Sequence, residues 1–389
     1  MSLADTARKL DALDPIAHCR DEFDLDPEVV YLNGNSLGAL PSAVAPRLAE
    51  VVNEQWGRRL IRGWGEGWWR APERIGDRIA PLVGSAPGQV VVGDSTSVNL
   101  FKALVAAIRL NPGRPELLVD AATFPTDGYI AESVARLTGV EIRQVPMPEA
   151  AEAVSERTAV LLANHVDFRS GVLHDMGAIT EAAHRVGALV VWDLCHSVGA
   201  LPVELDAHQV DLAVGCTYKF LNGGPGAPAF LYVPQRLQAG FDQPLSGWCG
   251  HADPFAMAAG YTPDAGVTRG RTGTPDILSM LALDAALDVW DKTSIAEVRT
   301  KGLRLTDFFL SCVDELLGDR VTVRTPRTEN RGNHIALSVP EAGQVMKELI
   351  SREVIGDYRP PDVLRFGFAP LYVRYTDALT AVQVIADVL

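Results

Sequence analysis

Apolar positions along this chain follow two regimes, and the change between them divides the sequence. Between about residues 85 and 235, short β-branched runs alternate with helical stretches. VVVGDST, PELLVD, TAVLLANHV, ALVVWDL, VDLAVGC and APAFLYV read as strands. Helical spacing falls over 98–109, over 129–137 and within HDMGAITEAAHRVG, which closes on glycine. Runs without polar alternation predict strands buried on both faces, so the region predicts an α/β sheet covered by helices on either side. After about residue 275 the order changes. Two long helical patterns, ILSMLALDAALDVWDK and RTKGLRLTDFFLSCVDELL, precede VTVRTP, the strand HIALSV, the helix AGQVMKELISRE, the run LRFGFAPLY and a closing helix. That predicts a smaller α+β unit.

The first 30 residues are polar and acidic, with helical spacing at Leu3, Leu10 and Leu13. YLNGNSLG then predicts a short strand entering a turn. Pro41 and Ser42 open a helix expected to reach about Gln55. RGWGEGWWRAP sets three tryptophans among glycines and predicts a loop. The expected organisation is an N-terminal segment, 1–55, packing with the small domain, a large α/β domain over 56–290, and a small α+β domain over 291–389.

Composition narrows the class. The chain has 389 residues, is 47% hydrophobic and 22% charged, and carries a formal net charge of −14. This is ordinary globular material, and no global basic footprint for nucleic acid exists. Five cysteines, none in a C-x-x-C pair, do not read as a disulfide framework and suggest a reducing compartment. The N-terminal stretch has no apolar core of a secretory signal, and no uncharged apolar run is long enough to span a membrane. The expectation is a cytoplasmic protein, with no membrane or nucleic-acid partner and no metal site.

Candidate chemistry begins with what is missing. No G-x-G-x-x-G joins a strand to a helix, and no phosphate-loop signature is present. NGGPGAPAF is interrupted by Pro225 and Pro228 and leads into a strand. A different pair is more informative. Asp193 ends the apolar strand ALVVWD, and Lys219 follows the strand VDLAVGC. Ligand sites in open α/β sheets lie beyond the carboxyl ends of strands. Alone, Asp193 reads as a turn cap and Lys219 as a solvated surface lysine. Together, with GCTYKFLNGGPG around the lysine, they fit pyridoxal phosphate: an amine for the aldehyde, and a carboxylate that keeps the pyridine nitrogen protonated. Ser95, Thr96 and Ser97 stand before the helix expected from Val98. They suit either a phosphate cup or plain N-capping.

The stretches YLNGNSLGALP, FPTD, WDLCHSVGA, VDLAVGCTYKFLNGGPGAPAFLYV, SGWCGH, RTGTPDILS and LRFGFAPLYVRYTD together resemble kynureninase. They run in family order from residue 31 to residue 377. The resemblance implies a fold-type-I pyridoxal-phosphate enzyme with a large, mostly parallel seven-stranded sheet and a small C-terminal α+β domain. It implies a homodimer with active sites shared between subunits. It also implies hydrolysis of L-kynurenine to anthranilate and L-alanine in tryptophan catabolism, with 3-hydroxykynurenine the slower substrate.

Carried over residue by residue, the resemblance makes Lys219 the Schiff-base lysine and the base at the substrate Cα, and Asp193 the partner of the pyridinium. His196 lies beside the cofactor, Phe124 stacks on its ring, and Asp127 and Asn164 help to position it. Thr96 and Ser97 hold phosphate. Tyr218 adds its hydroxyl there or moves a proton. Trp248 and Thr274 reach in from the partner subunit. Arg365 clamps the substrate carboxylate, with Ser36, Trp64 and Gly273 also on the substrate side; the alternative for Trp64 is a buried loop anchor, a role that suits its neighbours Trp68 and Trp69 better. Two positions depart from the family's habit. Cys249 stands where an aromatic is frequent, and Cys195, where alanine is frequent, reads as a buried filler. A desulfurase-like or aminotransferase member of the same fold and a non-catalytic cofactor-binding module are the competing readings. Tyr218 before the lysine, and the presence of Arg365, Trp64 and Trp248, weigh against them.

Overall fold

The computed structural model describes residues 2–389. Its centre is a seven-stranded sheet built from β1 (Val90–Val92), β2 (Glu116–Asp120), β3 (Glu141–Val145), β4 (Thr158–Asn164), β5 (Leu189–Asp193), β6 (Leu212–Gly215) and β7 (Phe230–Tyr232). The spatial order is β1-β7-β6-β5-β4-β2-β3. Only β7 runs against its neighbours, pairing antiparallel with β1 and with β6. The mostly parallel sheet expected from the apolar runs is therefore present. Its inner strands are buried throughout, β4 at all seven positions, as a sheet covered on both faces requires. One face packs beneath the helix Thr96–Leu110, in a core with Leu104, Val119, Leu162 and Val214. The other carries Trp192, Phe230, Ile179 and Leu283.

A second sheet, antiparallel throughout, consists of β8 (Thr322–Val323), β9 (His334–Ser338), β10 (Asp357–Arg359) and β11 (Val363–Gly367) in the order β8-β9-β11-β10. Its core joins Phe309 and Leu305 of the helix Ile295–Leu316 to Leu364, Phe366 and Val382. Ser294 opens that long helix with a capping box completed by Glu297. The N-terminal segment shares this core through Ile16, Cys19 and Phe23, and Val30–Tyr31 pairs in parallel with Val354–Ile355.

Several local expectations shift. The helix expected from Val98 begins at Thr96, because Ser95 is the N-cap and accepts from the Val98 amide. The helix expected over 129–137 is Pro125–Thr138, since proline suits the first helical position. The α-helix expected to reach Gln55 ends at Glu50 and continues as a π-helix, Val51–Arg59. Strands β3 and β10 have no counterpart in the sequence reading. Both lie at sheet edges and are half-exposed, so their residues lack an apolar run.

Candidate active site

Strands β4 and β5 end side by side on Asn164 and Asp193, which face each other across the ladder. Lys219 follows β6, the next strand in the sheet, in a tight turn closed by the Asn222 amide on the Lys219 carbonyl. Parallel strands deliver their carboxyl ends to one edge, and a cavity of about 200 Å³ opens there. Thr96, Ser97, Phe124 and Asp127 line it from the helical side. Asn164, Asp193, His196, Tyr218 and Lys219 line it from the strand ends. Nine of the residues expected at the cofactor thus lie around one space. Phe168, which nothing in the sequence singled out, also lines it and sets its ring edge-on to Phe124 at 5.2 Å.

The polar groups are coupled. Asn164 Nδ2 donates to Asp127 at 3.0 Å and to Asp193 at 3.2 Å. Burial, and then the neighbouring Asp193 carboxylate, push Asp127 well above the ordinary carboxylate range. Two carboxyl groups sharing a dry site disfavour both being charged at once. Asp193 Oδ1 accepts the Cys195 amide at 2.6 Å. His196 Nε2 lies 3.1 Å from Lys219 Nζ. Burial first, then Lys219, Arg365 and His334, hold His196 well below the usual histidine range, so its ring is neutral. Burial keeps the Tyr218 phenol protonated far into alkaline pH. The contact with Cys216, and then burial, push the Cys195 thiol well up. It remains a thiol, and it lines the same cavity.

These groups fit pyridoxal phosphate by donor chemistry. The amine of Lys219 suits the aldehyde and the Asp193–Asp127 pair suits a protonated ring nitrogen. Thr96 and Ser97 occupy the first turn of a helix of 15 residues, where unpaired amides and the helix dipole favour an anion.

Other expected residues lie elsewhere in the chain. Arg365, on β11, is 1% exposed, and its guanidinium is already engaged. It donates to both Asp357 oxygens, at 2.9 and 2.5 Å, to Ser36 Oγ at 3.0 Å and to the Phe168 carbonyl at 2.6 Å. Asp357 is thus the main partner of Arg365, which does not itself line the Lys219 cavity, and the sequence reading did not single it out. Its signal was spatial: Asp357 lies directly opposite Arg365 across a hairpin. Trp64, Trp248, Gly273 and Thr274 do not line the Lys219 cavity of their own chain. Trp248 packs with its ring tilted against Trp69 at 5.0 Å, and Trp64 sits edge-on to Trp68 at 5.6 Å. Gly273 and Thr274 line a separate cavity of about 380 Å³ with Asp94 and Ser95.

Known proteins agree with this geometry. The fold is similar to a cysteine desulfurase from Thermococcus onnurineus NA1, with a TM-score of 0.82, 18% identity, and coverage of 95% of this chain and 97% of that one. It is also similar to a C-DES variant with glycine covalently linked to its PLP cofactor, with a TM-score of 0.83 at 16% identity, covering 95% and 99% of the two chains. The family model described as "Kynureninase C-terminal domain" matches residues 298–385. The sequence is 49% identical to a kynureninase of Deinococcus radiodurans, over 98% of this chain and 95% of that protein. It is 45% identical to a kynureninase of Burkholderia pseudomallei, over 100% of this chain and 96% of that protein. The sheet and its strand-end lysine and aspartate define a fold-type-I enzyme of the pyridoxal-phosphate class. Within that class the chain belongs to the kynureninase family.

Proposed function

We propose that this protein uses pyridoxal phosphate to cleave the Cβ–Cγ bond of L-kynurenine with water, releasing anthranilate and L-alanine. The full-length similarity to kynureninases carries the reading, and the joint placement of Lys219, Asp193 and a helix N-terminus around one cavity supports it. Bound there, the cofactor supplies an electron sink for the bonds made and broken at the substrate.

The chain's own residues do the rest. Lys219 Nζ anchors the cofactor and takes the proton from the substrate Cα. Asp193 orients toward the ring nitrogen, supported by Asn164, which also holds Asp127. Phe124 covers the ring, and Thr96 and Ser97 hold the phosphate. Tyr218, whose ring centroid lies 5.9 Å from Lys219 Nζ, carries a proton it can lend to the substrate carbonyl. Arg365 and Ser36 take the substrate carboxylate. Four donor contacts of that guanidinium are already made, so substrate binding must displace or share the Asp357 and Ser36 contacts.

The working unit is a homodimer in which Trp64, Trp248, Gly273 and Thr274 complete the partner's cavity. Exposed Trp248, Phe255 and Met257 support that assembly, since soluble monomers rarely leave a large apolar patch uncovered. A cytoplasmic location is supported by five cysteines, all without a disulfide. No helix among the described residues is long and apolar enough to cross a membrane.

The purified protein, loaded with cofactor and given L-kynurenine, is expected to release fluorescent anthranilate and one alanine per turnover. An aminotransferase would instead consume a keto acid and release no anthranilate, which would overturn the proposal. In Lys219→Ala the visible band of lysine-bound cofactor is expected to vanish together with turnover.

A further inference from the structure

Behind Lys219 lies a group of polar atoms that the reaction as described does not use. Both ring nitrogens of His334, Nδ1 of His196, and Oδ1 and Nδ2 of Asn35 are buried with no protein partner among the described residues. Asn35 and His334 are 0% exposed and His196 is 8% exposed. These atoms come from three distant parts of the chain, and the fold gathers them. The His196 and His334 rings lie 5.4 Å apart. His334 on β9 sits directly opposite Gly367 on β11, so both positions face the same side of the small sheet. Any side chain at Gly367 would collide with the Asn35 amide, so Asn35 fills the space that the glycine leaves beside His334. Arg365, two residues earlier on the same strand face, holds Ser36, the neighbour of Asn35.

A buried polar group with no hydrogen bond is destabilising, because it gives up its bonds to water. Buried atoms left without partners in neighbouring parts of the fold call for a partner that is not a side chain, and a buried water makes about three hydrogen bonds. We propose that Asn35, His196 and His334 enclose a bound water, and that this water site positions His196 against Lys219.

The hydrogen-bond inventory sets the arrangement. In its protonated form the lysine nitrogen, free or joined to the cofactor, donates and accepts nothing. His196 Nε2, 3.1 Å from Lys219 Nζ, is therefore the acceptor. A neutral imidazole then carries its proton on Nδ1, where it needs an acceptor of its own. The water oxygen, Asn35 Oδ1 and one nitrogen of neutral His334 supply it. Burial, and then the Arg365 charge, hold His334 well below the ordinary histidine range, so it stays neutral and can accept. His334 and Asn35 act through His196 and are positioning residues. The charged groups facing the two rings are Lys219 below and Arg365, Asp357 and Arg359 from the small sheet.

The inference rests on the reading of Lys219 as the cofactor lysine, and its test is separable from the assay of the reaction. A high-resolution crystal structure of the holoenzyme is expected to show one ordered water bonded to at least two of Asn35, His196 and His334. A dry pocket overturns the site. In holoenzyme of His334→Leu, kcat is expected to fall about tenfold or more with KM within about twofold, as for outer partners of a working imidazole. The midpoint of the pH titration of the lysine-bound cofactor's visible band is expected to move by about half a unit or more. His334→Gln, which keeps a donor and an acceptor, is expected to restore most of both. A leucine variant with wild-type kcat and midpoint overturns the positioning role. So does a glutamine variant that loads cofactor and is as impaired as leucine. Absence of anthranilate from the wild type would count against the proposed reaction alone, because the water and the spectral midpoint are read without substrate.

Discussion

Tyr218 and Asp357 are two residues whose environments set opposite ionisation behaviour. Burial holds the Tyr218 phenol in its protonated form, so it is a donor at any working pH. Tyr218→Phe removes that proton and leaves the ring. Turnover is expected to fall about a hundredfold or more, the range of a single general acid, while cofactor stays bound; wild-type turnover would confine Tyr218 to the phosphate. Asp357 behaves differently. Burial alone would raise its pKa, but the hydrogen bonds and charge of Arg365, with Arg359, bring it from 3.8 down to about 2. A folded-state pKa below the unfolded one stabilises the protein above the unfolded value, and that stability is lost as pH falls from about 4 to about 2. The linkage is worth about 2 kcal/mol. Asp357→Asn is expected to flatten the pH dependence of unfolding free energy in that window. At neutral pH it is expected to destabilise by about 3–5 kcal/mol, because the buried Arg365 loses its counter-charge. Urea unfolding followed across pH measures both; an unchanged acid slope would mean that the pair contributes nothing.

At the scale of elements, the turn around Asn33–Gly38 is what presses the lysine turn into place. The Gly38 amide donates to the Tyr218 carbonyl at 2.8 Å. A Cβ on Gly38 would run into the Lys219 carbonyl and Asn222, so the two turns meet backbone to backbone. Gly38→Ala is expected to cost about 1–3 kcal/mol through overpacking and to weaken cofactor retention. Gly260→Ala, where a Cβ meets nothing within 4 Å, is expected to do neither. Thermal unfolding and cofactor dissociation rates compare the two. This contact also shows what a sequence conveys and what it withholds. Asp193 and Lys219 were readable because each follows an apolar strand, and strand ends in a parallel sheet share an edge. The capping serine at residue 95 was readable as a residue type but not as a boundary, so the helix began two residues early. Strands β3 and β10 were invisible because edge strands need no apolar run. The partnership of Asp357 with Arg365, and the approach of Asn35 to Gly367 opposite His334, depend on sheet register and on which segment folds over it. Neither is set by local spacing.

At the scale of the molecule, the chain leaves large apolar side chains exposed. Trp56, Leu60 and Ile61 are 56%, 57% and 77% exposed, and Phe255 and Met257 are 65% and 75% exposed. Trp69 packs with its ring tilted against Trp248 at 5.0 Å and Phe255 at 5.1 Å, and lies 6.3 Å from Trp64. Soluble monomers rarely leave so much aromatic and aliphatic surface uncovered, and a symmetric pairing of two copies is the commonest way to cover it. The same surface carries Trp64 and Trp248, which the chain's own Lys219 cavity does not use. If a second copy covers it, burying the patch and completing the active site are one event. Light scattering is then expected to give twice the chain mass, and Ile61→Asp with Met257→Asp is expected to give monomers. Those monomers should retain the fold by circular dichroism and lose most kynurenine turnover. Full turnover from a monomeric variant would show that Trp64, Trp248, Gly273 and Thr274 act within their own chain or not at all.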